Sequence, residues 1–168
     1  MKDTSLFSTQ SAFIFSNADL TASSGGIGCD AIVKGGIWII TSSGAQMIRG
    51  AVAATIHAES SSGSIYAEEL VAGTDYSFET SSGSICLTNV ICGGTLKAES
   101  TSGDVLLDGC DAGHVIIETS SGNVKGSLRT GKQFKVKTGS GSVSVPADAA
   151  GGQCEIRTTS GNVSITVG

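Results

Sequence analysis

Glutamate is the residue whose spacing in this sequence most invites a chemical interpretation. Glu59, Glu79, Glu99 and Glu118 follow one another at intervals of 20, 20 and 19 residues. Carboxylate oxygens are the ligands that calcium prefers, and a row of carboxylates also attracts positively charged peptides. The set Glu79, Glu99 and Glu118 is therefore a candidate site for a divalent cation or a cationic peptide. The alternative is a solvated face without a ligand, on which the carboxylates spread apart to limit their repulsion.

The histidines and cysteines do not indicate a catalytic centre. An enzyme needs unlike groups that converge on one point, whereas His57 and His114 fall at different positions of the repeat described below. The five cysteines are odd in number and include no CxxC pair, so neither a closed disulfide framework nor a zinc ribbon is indicated. We expect reduced cysteines that serve packing, no catalytic residue and no cofactor.

The elements that carry these residues are set by an internal repeat. A glycine that follows a Ser/Thr-Ser or equivalent pair recurs at Gly25, Gly44, Gly63, Gly83, Gly103, Gly122, Gly141 and Gly161. The interval is 19 or 20 residues throughout. Such a regular period over nearly the whole chain is typical of stacked units, as in a solenoid.

Positions at fixed offsets from these glycines predict what each repeat contains. Seven and five residues before the glycine almost every residue is apolar, whereas the residue between them is mostly polar. That alternation has the period of a β-strand with one buried face. A second short strand is predicted two to four residues after the glycine. A third inward position is predicted about seven residues after it, at Ile32, Ala51, Leu70, Val90 and Cys110.

These columns predict an all-β fold, a parallel β-helix or β-solenoid, because parallel stacking places equivalent residues of successive coils about 4.8 Å apart. We expect it to be three-sided, with about eight coils over residues 18–168. Residues 1–17 are predicted to form an N-terminal partial coil or cap through Phe13 and Phe15. Coils are expected to follow one another along the axis in sequence order. Glycine is expected at the corner because a sharp turn favours backbone angles that other residues adopt at a cost.

An apolar stripe is predicted on the outside of the solenoid. The column three residues after the glycine points outward and reads Met47, Tyr66, Cys86 and Leu106 on four successive coils. A continuous exposed apolar stripe can mark an interaction surface, so Tyr66, Cys86 and Leu106 are candidates for one. Two alternatives remain: a loop or the N-terminal segment covers the stripe, or a bulge at Gln46 turns Met47 inside.

Net charge narrows the class of partner. The formal charge of −5 argues against nucleic acid, since phosphate binding needs a basic surface. Residues 1–124 hold 4 Lys and Arg against 13 Asp and Glu, a balance of −9, and residues 125–168 hold 6 against 2, a balance of +4. The rod is therefore expected to be electrically polar, with a basic end suited to anionic polymers or to the acidic part of another copy. No signal-peptide h-region and no apolar stretch long enough to span a bilayer is visible.

The tandem units also resemble a known family. The segments "AESTSGDVLLDG", "IETSSGNVKGSL", "VKTGSGSVSVP" and "IRTTSGNVSITV" are similar to the repeated Thr-x-Ser-Gly-x-Ile/Val unit of a bacterial family of adhesin-like β-strand-repeat domains of unknown function. The resemblance covers about residues 18–168. It implies a right-handed β-helix at the bacterial cell envelope or surface, tethered by segments outside the repeat, and it brings no catalytic residues.

These observations favour a non-catalytic, adhesin-like binding or scaffold domain. Its expected partners are an envelope polymer, a membrane surface or another protein domain, and self-association is compatible with the charge asymmetry. One alternative is a structural spacer or sensor module of a larger membrane-anchored protein. Another is a polysaccharide-acting β-helix enzyme, which rests on fold analogy alone and would require acids and basic residues clustered on one face.

Overall fold

The computed structural model describes residues 5–7, 16–147 and 150–168, and this part of the chain contains β-strands and no helix. Phe13 and Phe15, expected in an N-terminal cap, lie outside the described residues. The strands are β1 (Ser5–Phe7), β2 (Ala18–Ala22), β3 (Ile27–Cys29), β4 (Gly36–Thr41), β5 (Gln46–Arg49), β6 (Thr55–Ser60), β7 (Ile65–Gly73), β8 (Asp75–Thr80), β9 (Ile85–Cys92), β10 (Thr95–Ser100), β11 (Val105–Cys110), β12 (His114–Thr119), β13 (Val124–Leu128), β14 (Gln133–Ser140), β15 (Val143–Ser144), β16 (Gln153–Ser160) and β17 (Val163–Val167).

The strands form two parallel sheets that share one axis. The eight-stranded sheet has the order β2-β4-β6-β8-β10-β12-β16-β14, and the nine-stranded sheet has the order β1-β3-β5-β7-β9-β11-β13-β17-β15. Equivalent residues of successive coils are paired, for example Ile56 with Tyr76 and Tyr76 with Leu96. The predicted parallel β-solenoid is confirmed, whereas its right-handed sense stays a prediction. Each turn of the solenoid is called a rung below.

The core is the column of apolar side chains that the alternation predicts. On β8, Tyr76 and Phe78 are fully buried, while Ser77 between them lies on the outer face. On the second strand of the rungs, Ile65, Ile85 and Val105 are fully buried in the same way. All of these side chains belong to one continuous apolar cluster along the axis. Burial of this cluster is the main stabilising contribution to such a fold.

The third side of the solenoid follows a corner that the sequence pattern does not reveal. Gly50, Glu69, Asn89 and Gly109 occupy equivalent positions six residues after the turn glycine, all with φ between 53° and 60°. The rung of β3 has no residue with a positive φ at this corner, and its inward positions fall one residue earlier than on the following rungs. There Ala31 and Val33 are buried, and Ile32 is 52% exposed. The expectation that Ile32 points inward was therefore wrong, although it holds for the other residues of that column.

The order of the last two coils along the axis differs from their order in the sequence. β16 and β17, which end the chain, lie between β12/β13 and β14/β15. The expectation that axial order follows sequence order was therefore wrong for these coils. A ladder of polar side chains shows the arrangement directly, because Asn162 N–H donates to Asn123 Oδ1 (3.0 Å) and Ser142 N–H donates to Asn162 Oδ1 (2.9 Å).

The inverted order places the weaker coil at the solvent end. The coil of β14 and β15 contains the only proline of the chain, Pro146, and its second strand has two residues. Proline cannot donate to a ladder, so it suits an edge better than the middle of a sheet. The coil of β16 and β17 instead buries four side chains almost completely: Cys154, Ile156, Val163 and Ile165. Burial of this more apolar coil on both sides stabilises the inserted arrangement.

Close stacking, rather than backbone angle, explains the glycine of each turn. A Cβ added to Gly83 would lie 2.2 Å from the carbonyl oxygen of Gly63, and one added to Gly103 would lie 1.9 Å from that of Gly83. Of the eight turn glycines, all of them described, Gly141 alone has a positive φ. The expected requirement for unusual angles was therefore wrong for the other seven.

Buried hydroxyls fasten each turn to the preceding one. Gly83 N–H donates to Thr80 Oγ1 (3.2 Å), and Thr80 Oγ1 donates to the carbonyl oxygen of Gly63 (3.0 Å). Ser100 makes the same two bonds one rung further on, with Gly103 N–H and Gly83 O. The Ser-Ser-Gly segment is thus a structural joint whose polar groups are satisfied internally.

Candidate functional site: the outer face of the eight-stranded sheet

The four glutamates form a ladder on the outer face of the eight-stranded sheet. Glu59, Glu79, Glu99 and Glu118 are paired in register on β6, β8, β10 and β12. The ladder continues into cations, because Glu118 is paired with Arg157 on β16 and Arg157 with Lys137 on β14. The predicted row of carboxylates is therefore present, and it ends in two positive charges because of the inverted coil order.

Lys97 offsets part of the negative charge at the centre of the glutamate ladder. It lies on β10 two residues before Glu99, and its Nζ is 3.1 Å from Glu79 Oε1 and 3.0 Å from Glu99 Oε1. Burial alone would raise the pKa of Glu79, but the hydrogen bond and charge of Lys97 lower that pKa below its usual range. Burial alone would lower the pKa of Lys97, but its hydrogen bonds to Glu99 and Glu79 raise it. Both groups are thus held in their charged forms.

A second charged cluster surrounds Glu155 on β16. Arg157 Nη1 lies 3.3 Å from Glu118 Oε1, and Arg157 Nη2 lies 3.6 Å from Glu155 Oε2. Lys135 Nζ approaches Glu155 at 3.9 Å and His114 Nε2 approaches it at 3.8 Å. The inserted coil therefore carries the residues that connect the acidic ladder to the basic end.

A groove follows the glutamate ladder along the axis. It has a volume of about 620 Å³ and runs across six rungs, from Glu59 to Lys137. It is lined by the ladder and by residues of the adjoining turns, such as Thr80, Ser81 and Thr101. Because equivalent residues are about 4.8 Å apart, the groove offers a linear ligand a carboxylate at each of four successive steps.

The geometry does not bring Glu79, Glu99 and Glu118 together as ligands of one ion. In the part of the chain that the structure describes, no group of three or more His, Cys, Asp and Glu side chains is arranged to hold a metal ion. Lys97 occupies the space between two of the three carboxylates, and Arg157 pairs with the third. The histidines also lie apart, since His57 on β6 and His114 on β12 are separated by β8 and β10.

A second groove on the same face was not predicted from the sequence. It has a volume of about 590 Å³ and is lined by Trp38, Thr55, Ile56, His57, Asp75, Tyr76, Ser77, Thr95 and Lys97. The indole of Trp38 lies over Gly36, where an added Cβ would come within 2.4 Å of the ring. Trp38 is the single tryptophan of the chain, and a bulky aromatic residue two positions after a glycine on an outer column could have indicated this groove.

The predicted apolar stripe lies on the outer face of the nine-stranded sheet. Met47, Tyr66, Cys86 and Leu106 are paired in register on β5, β7, β9 and β11. Met47 is 53% exposed, and Tyr66 and Leu106 are exposed to a lesser degree. Gln46 does not form a bulge, because β5 pairs with β3 and β7 without a register shift. Its buried side chain donates from Nε2 to Glu59 O (2.5 Å) and Thr41 Oγ1 (3.1 Å). Among the described residues, therefore, the stripe is a solvent-facing surface.

A second apolar column, on the third side, was missed because Ile32 was expected to be inside. Ile32 and Val52 are paired on neighbouring rungs, and both are exposed, as is Val71 on the rung after Val52. The corner residues Gly50 and Glu69 separate this column from the stripe on the nine-stranded sheet.

The cysteines are unpaired thiols with low reactivity. Cys29, Cys92, Cys110 and Cys154 are buried, and Cys86 is half-buried. Burial raises the pKa of Cys92 to about 11 and that of Cys154 to about 12. It also raises the pKa of the Cys29, Cys86 and Cys110 thiols. Since the thiolate is the reactive species, these residues serve packing at neutral pH.

Two comparisons with known proteins gave no match, and one gave a family. The model of the Toastrack DUF4097 family matches residues 53–168. No curated protein and no solved structure matches this chain. The described residues contain no helix that is long and apolar enough to span a membrane.

Proposed function

We propose that this chain, which belongs to the Toastrack DUF4097 family, is a non-catalytic binding module that holds an extended cationic partner along the glutamate ladder. The partner is a lysine- or arginine-rich segment of a peptide or protein. The observation that supports this proposal is the continuous groove from Glu59 to Lys137.

Charge along the groove favours a cation over its first four rungs. Four carboxylates face the groove there. Lys97 contacts two of them, and its single positive charge offsets one of the four negative charges. Carboxylates about 5 Å apart attract a linear polycation more strongly than any one of them attracts a single ion. Arg157 and Lys137 close the far end, so an extended peptide would place its anionic end there.

The state of the carboxyl groups favours binding over catalysis. A general acid at neutral pH needs a carboxyl whose pKa is raised, and the pKa of Glu79 is lowered by Lys97. Acids and basic residues do share one face here, as a polysaccharide-acting enzyme would require. They form ion pairs along the stack, and we assign them to recognition.

The proposal is tested by fluorescence anisotropy with labelled decalysine. We expect saturable binding that weakens as salt increases, because the contacts are exposed charges. The triple variant Glu59→Gln, Glu79→Gln, Glu99→Gln should lose about tenfold in affinity, or about 1.4 kcal/mol. Glu68→Gln is the matched control, since Glu68 lies on the nine-stranded sheet, and it should bind like wild type. Equal affinity of the triple variant and wild type would refute the proposal.

The same samples also test the alternative hypothesis that Glu79, Glu99 and Glu118 bind a divalent cation. If calcium binds there, millimolar calcium should raise the melting temperature of the wild type, and Glu99→Gln should abolish that rise. We expect no rise, because Lys97 already holds two of the carboxylates.

A second candidate function is docking of another protein domain on the apolar stripe of Met47, Tyr66, Cys86 and Leu106. The exposure of Met47, Tyr66 and Leu106, with the half-buried Cys86 between the last two, favours this function. Changing both Tyr66 and Leu106 to Asp should abolish such an interaction or self-association, while the circular dichroism spectrum stays unchanged. Unchanged association would count against it.

We further propose that the protein acts at the bacterial cell envelope as an adhesin-like module, as the sequence resemblance implies, and that its basic end contacts anionic envelope polymers. Exposed Lys135, Lys137 and Arg157 lie together on β14 and β16. Binding to a glycerol-phosphate polymer should decrease with salt and with Lys135→Glu plus Lys137→Glu. Absent or salt-insensitive binding would reject the polymer contact, and protease shaving of intact cells tests the location.

A further inference from the structure

The insertion of the last coil leads to an inference about a second copy of the chain. β16 and β17 fill a slot between β12/β13 on one side and β14/β15 on the other, paired in register with both. We infer that this slot accepts the C-terminal coil, residues 150–168, of a second copy. Two copies then associate by exchanging that coil.

The slot recognises a repeat unit, because the contacts that hold the inserted coil recur on other rungs. Thr158 Oγ1 donates to Gly122 O (3.4 Å), and Thr138 Oγ1 donates to Gly161 O (3.3 Å). Thr80 and Ser100 make the corresponding bond elsewhere in the rod. A second copy's coil has the same sequence and makes the same contacts, so exchange changes the connection alone. This is the general condition for domain swapping.

The walls of the slot are fastened to the body of the rod by contacts that do not involve the inserted coil. Residues 129–132 carry the chain past the slot, from β13 to β14. Arg129 Nε donates to Gly109 O (2.9 Å), and Arg129 also contacts the side chain of Asn89. Nearly buried Lys132 forms an ion pair with Asp111. The outer coil is therefore anchored to earlier rungs independently of residues 150–168.

Residues 150–168 follow both walls of the slot in the sequence, so the coil of a neighbouring copy can compete for the slot. Both β12 and β14 pair with β16 so that His114 and Gln133 share the partner Gln153. β14 can therefore stack directly on β12 in the same register until β16 separates them. The chain's own coil has an effective concentration in the millimolar range for a short connection. Exchange is thus expected when folding occurs at high protein concentration.

Exchange would also complete the groove in trans. Arg157 joins Glu118 to Glu155 and lines the groove on the glutamate ladder. In the exchanged form the partner's Arg157 occupies that position, and reciprocal exchange gives a closed twofold dimer.

The experiment uses two chains that each gain one surface cysteine in a Cys86→Ser background, because Cys86 is the half-buried thiol and the other four native cysteines are buried. One chain carries Lys125→Cys and the other carries Ser164→Cys. These positions are exposed and paired in register on β13 and β17, at a spacing that suits a disulfide. The two chains are unfolded together, refolded at low and high concentration, and oxidised mildly.

We expect a disulfide-linked heterodimer whose yield rises severalfold from low to high refolding concentration. The matched control pairs Lys125→Cys with Leu106→Cys, which are also in register on exposed positions, but on β11 and β13, neither of which belongs to the exchanged coil. Wild-type protein refolded at high concentration should, in parallel, show a dimer by size-exclusion chromatography with light scattering. A heterodimer yield no greater than the control at every concentration, together with a monomeric wild type, would overturn the inference.

Discussion

Close stacking of the turn glycines can be tested at a single residue, Gly83. Gly83→Ala should lower the free energy of unfolding by about 1–3 kcal/mol, because its Cβ would be forced against the Gly63 carbonyl. That oxygen would lie 2.2 Å from the new atom. Gly93→Ala is the control, since an added Cβ there meets nothing within 4 Å, and it should change stability by no more than about 0.5 kcal/mol. Urea denaturation measures both, and similar values for the two variants would contradict close stacking as the reason for glycine.

Lys97 makes a prediction about pH. Lys97→Met should lower the free energy of unfolding by up to about 1 kcal/mol, a small value because the side chains of the pair are about one third exposed and screened by water. The lowered pKa of Glu79 means that its contribution is present above the unfolded value of about 4.3 and is lost as pH falls through the folded value. The raised pKa of Lys97 means that its contribution is present below about 10.4 and is lost as pH rises further.

The difference between wild type and Lys97→Met should therefore be largest between about pH 5 and 9 and shrink toward zero below about pH 4. Denaturation curves at several pH values measure it. Arg49→Met removes the exposed Arg49–Glu68 pair on the other sheet and should leave the titration of Glu79 unchanged. A difference that persists undiminished at pH 3 would show that Lys97 acts by packing instead of charge.

The repeat columns predict the positions of some side chains and not of others. The inward positions of Ile56, Tyr76 and Leu96 follow from alternation, because strand geometry leaves no other way to bury them. Ile32 could not be placed, since its rung lacks the positive-φ residue of the four following rungs and its inward positions therefore fall one residue earlier. The compensation of the glutamates was also invisible in their own column, because Lys97 belongs to the column two residues earlier.

The inverted order of the last coils makes a prediction at the scale of elements. In one chain with Cys86→Ser, the pair Lys125→Cys and Ser164→Cys should form an internal disulfide, because β13 pairs with β17. The pair Lys125→Cys and Ser144→Cys should not, because β15 lies one rung further away. Mass spectrometry of peptides after mild oxidation at low protein concentration distinguishes the two. The opposite result would mean that the coils stack in sequence order.

The existence of the strands could be predicted from the sequence, but the order of the last rungs could not. Every coil presents the same apolar columns and the same turn, so periodicity alone allows any coil to stack on any other. What decides the order is which coil tolerates the end of the rod. The coil of β14 and β15 tolerates that position because it contains Pro146 and its second strand has only two residues. The coil of β16 and β17 does not, because Cys154 and Ile156 are fully buried. The Trp38 groove was missed for a related reason, since it is formed by neighbouring rungs together.

Hydrogen exchange provides a prediction for the whole molecule. In a stacked rod, protection should be highest in the middle rungs and fall toward the ends. Because the inserted coil is interior, amides of β17 such as Val163, which donates to Ser142 O at 2.9 Å, should exchange more slowly than those of the preceding β15. A chain whose last strand is better protected than the strand before it is the expected signature. Monotonic loss of protection toward the C-terminus would contradict it.

The interior position of β17 also determines how the protein can be engineered. A repeat appended after Gly168 would emerge from the flank of the rod, next to the Leu128 carbonyl that accepts from Gly168 N–H (3.2 Å), and it would not lengthen the stack. A fluorescent protein fused at that residue would likewise sit beside the rod. Shortening the chain from this end by one coil would remove a layer from within the stack and leave the outer coil of β14 and β15 without the coil on which it packs.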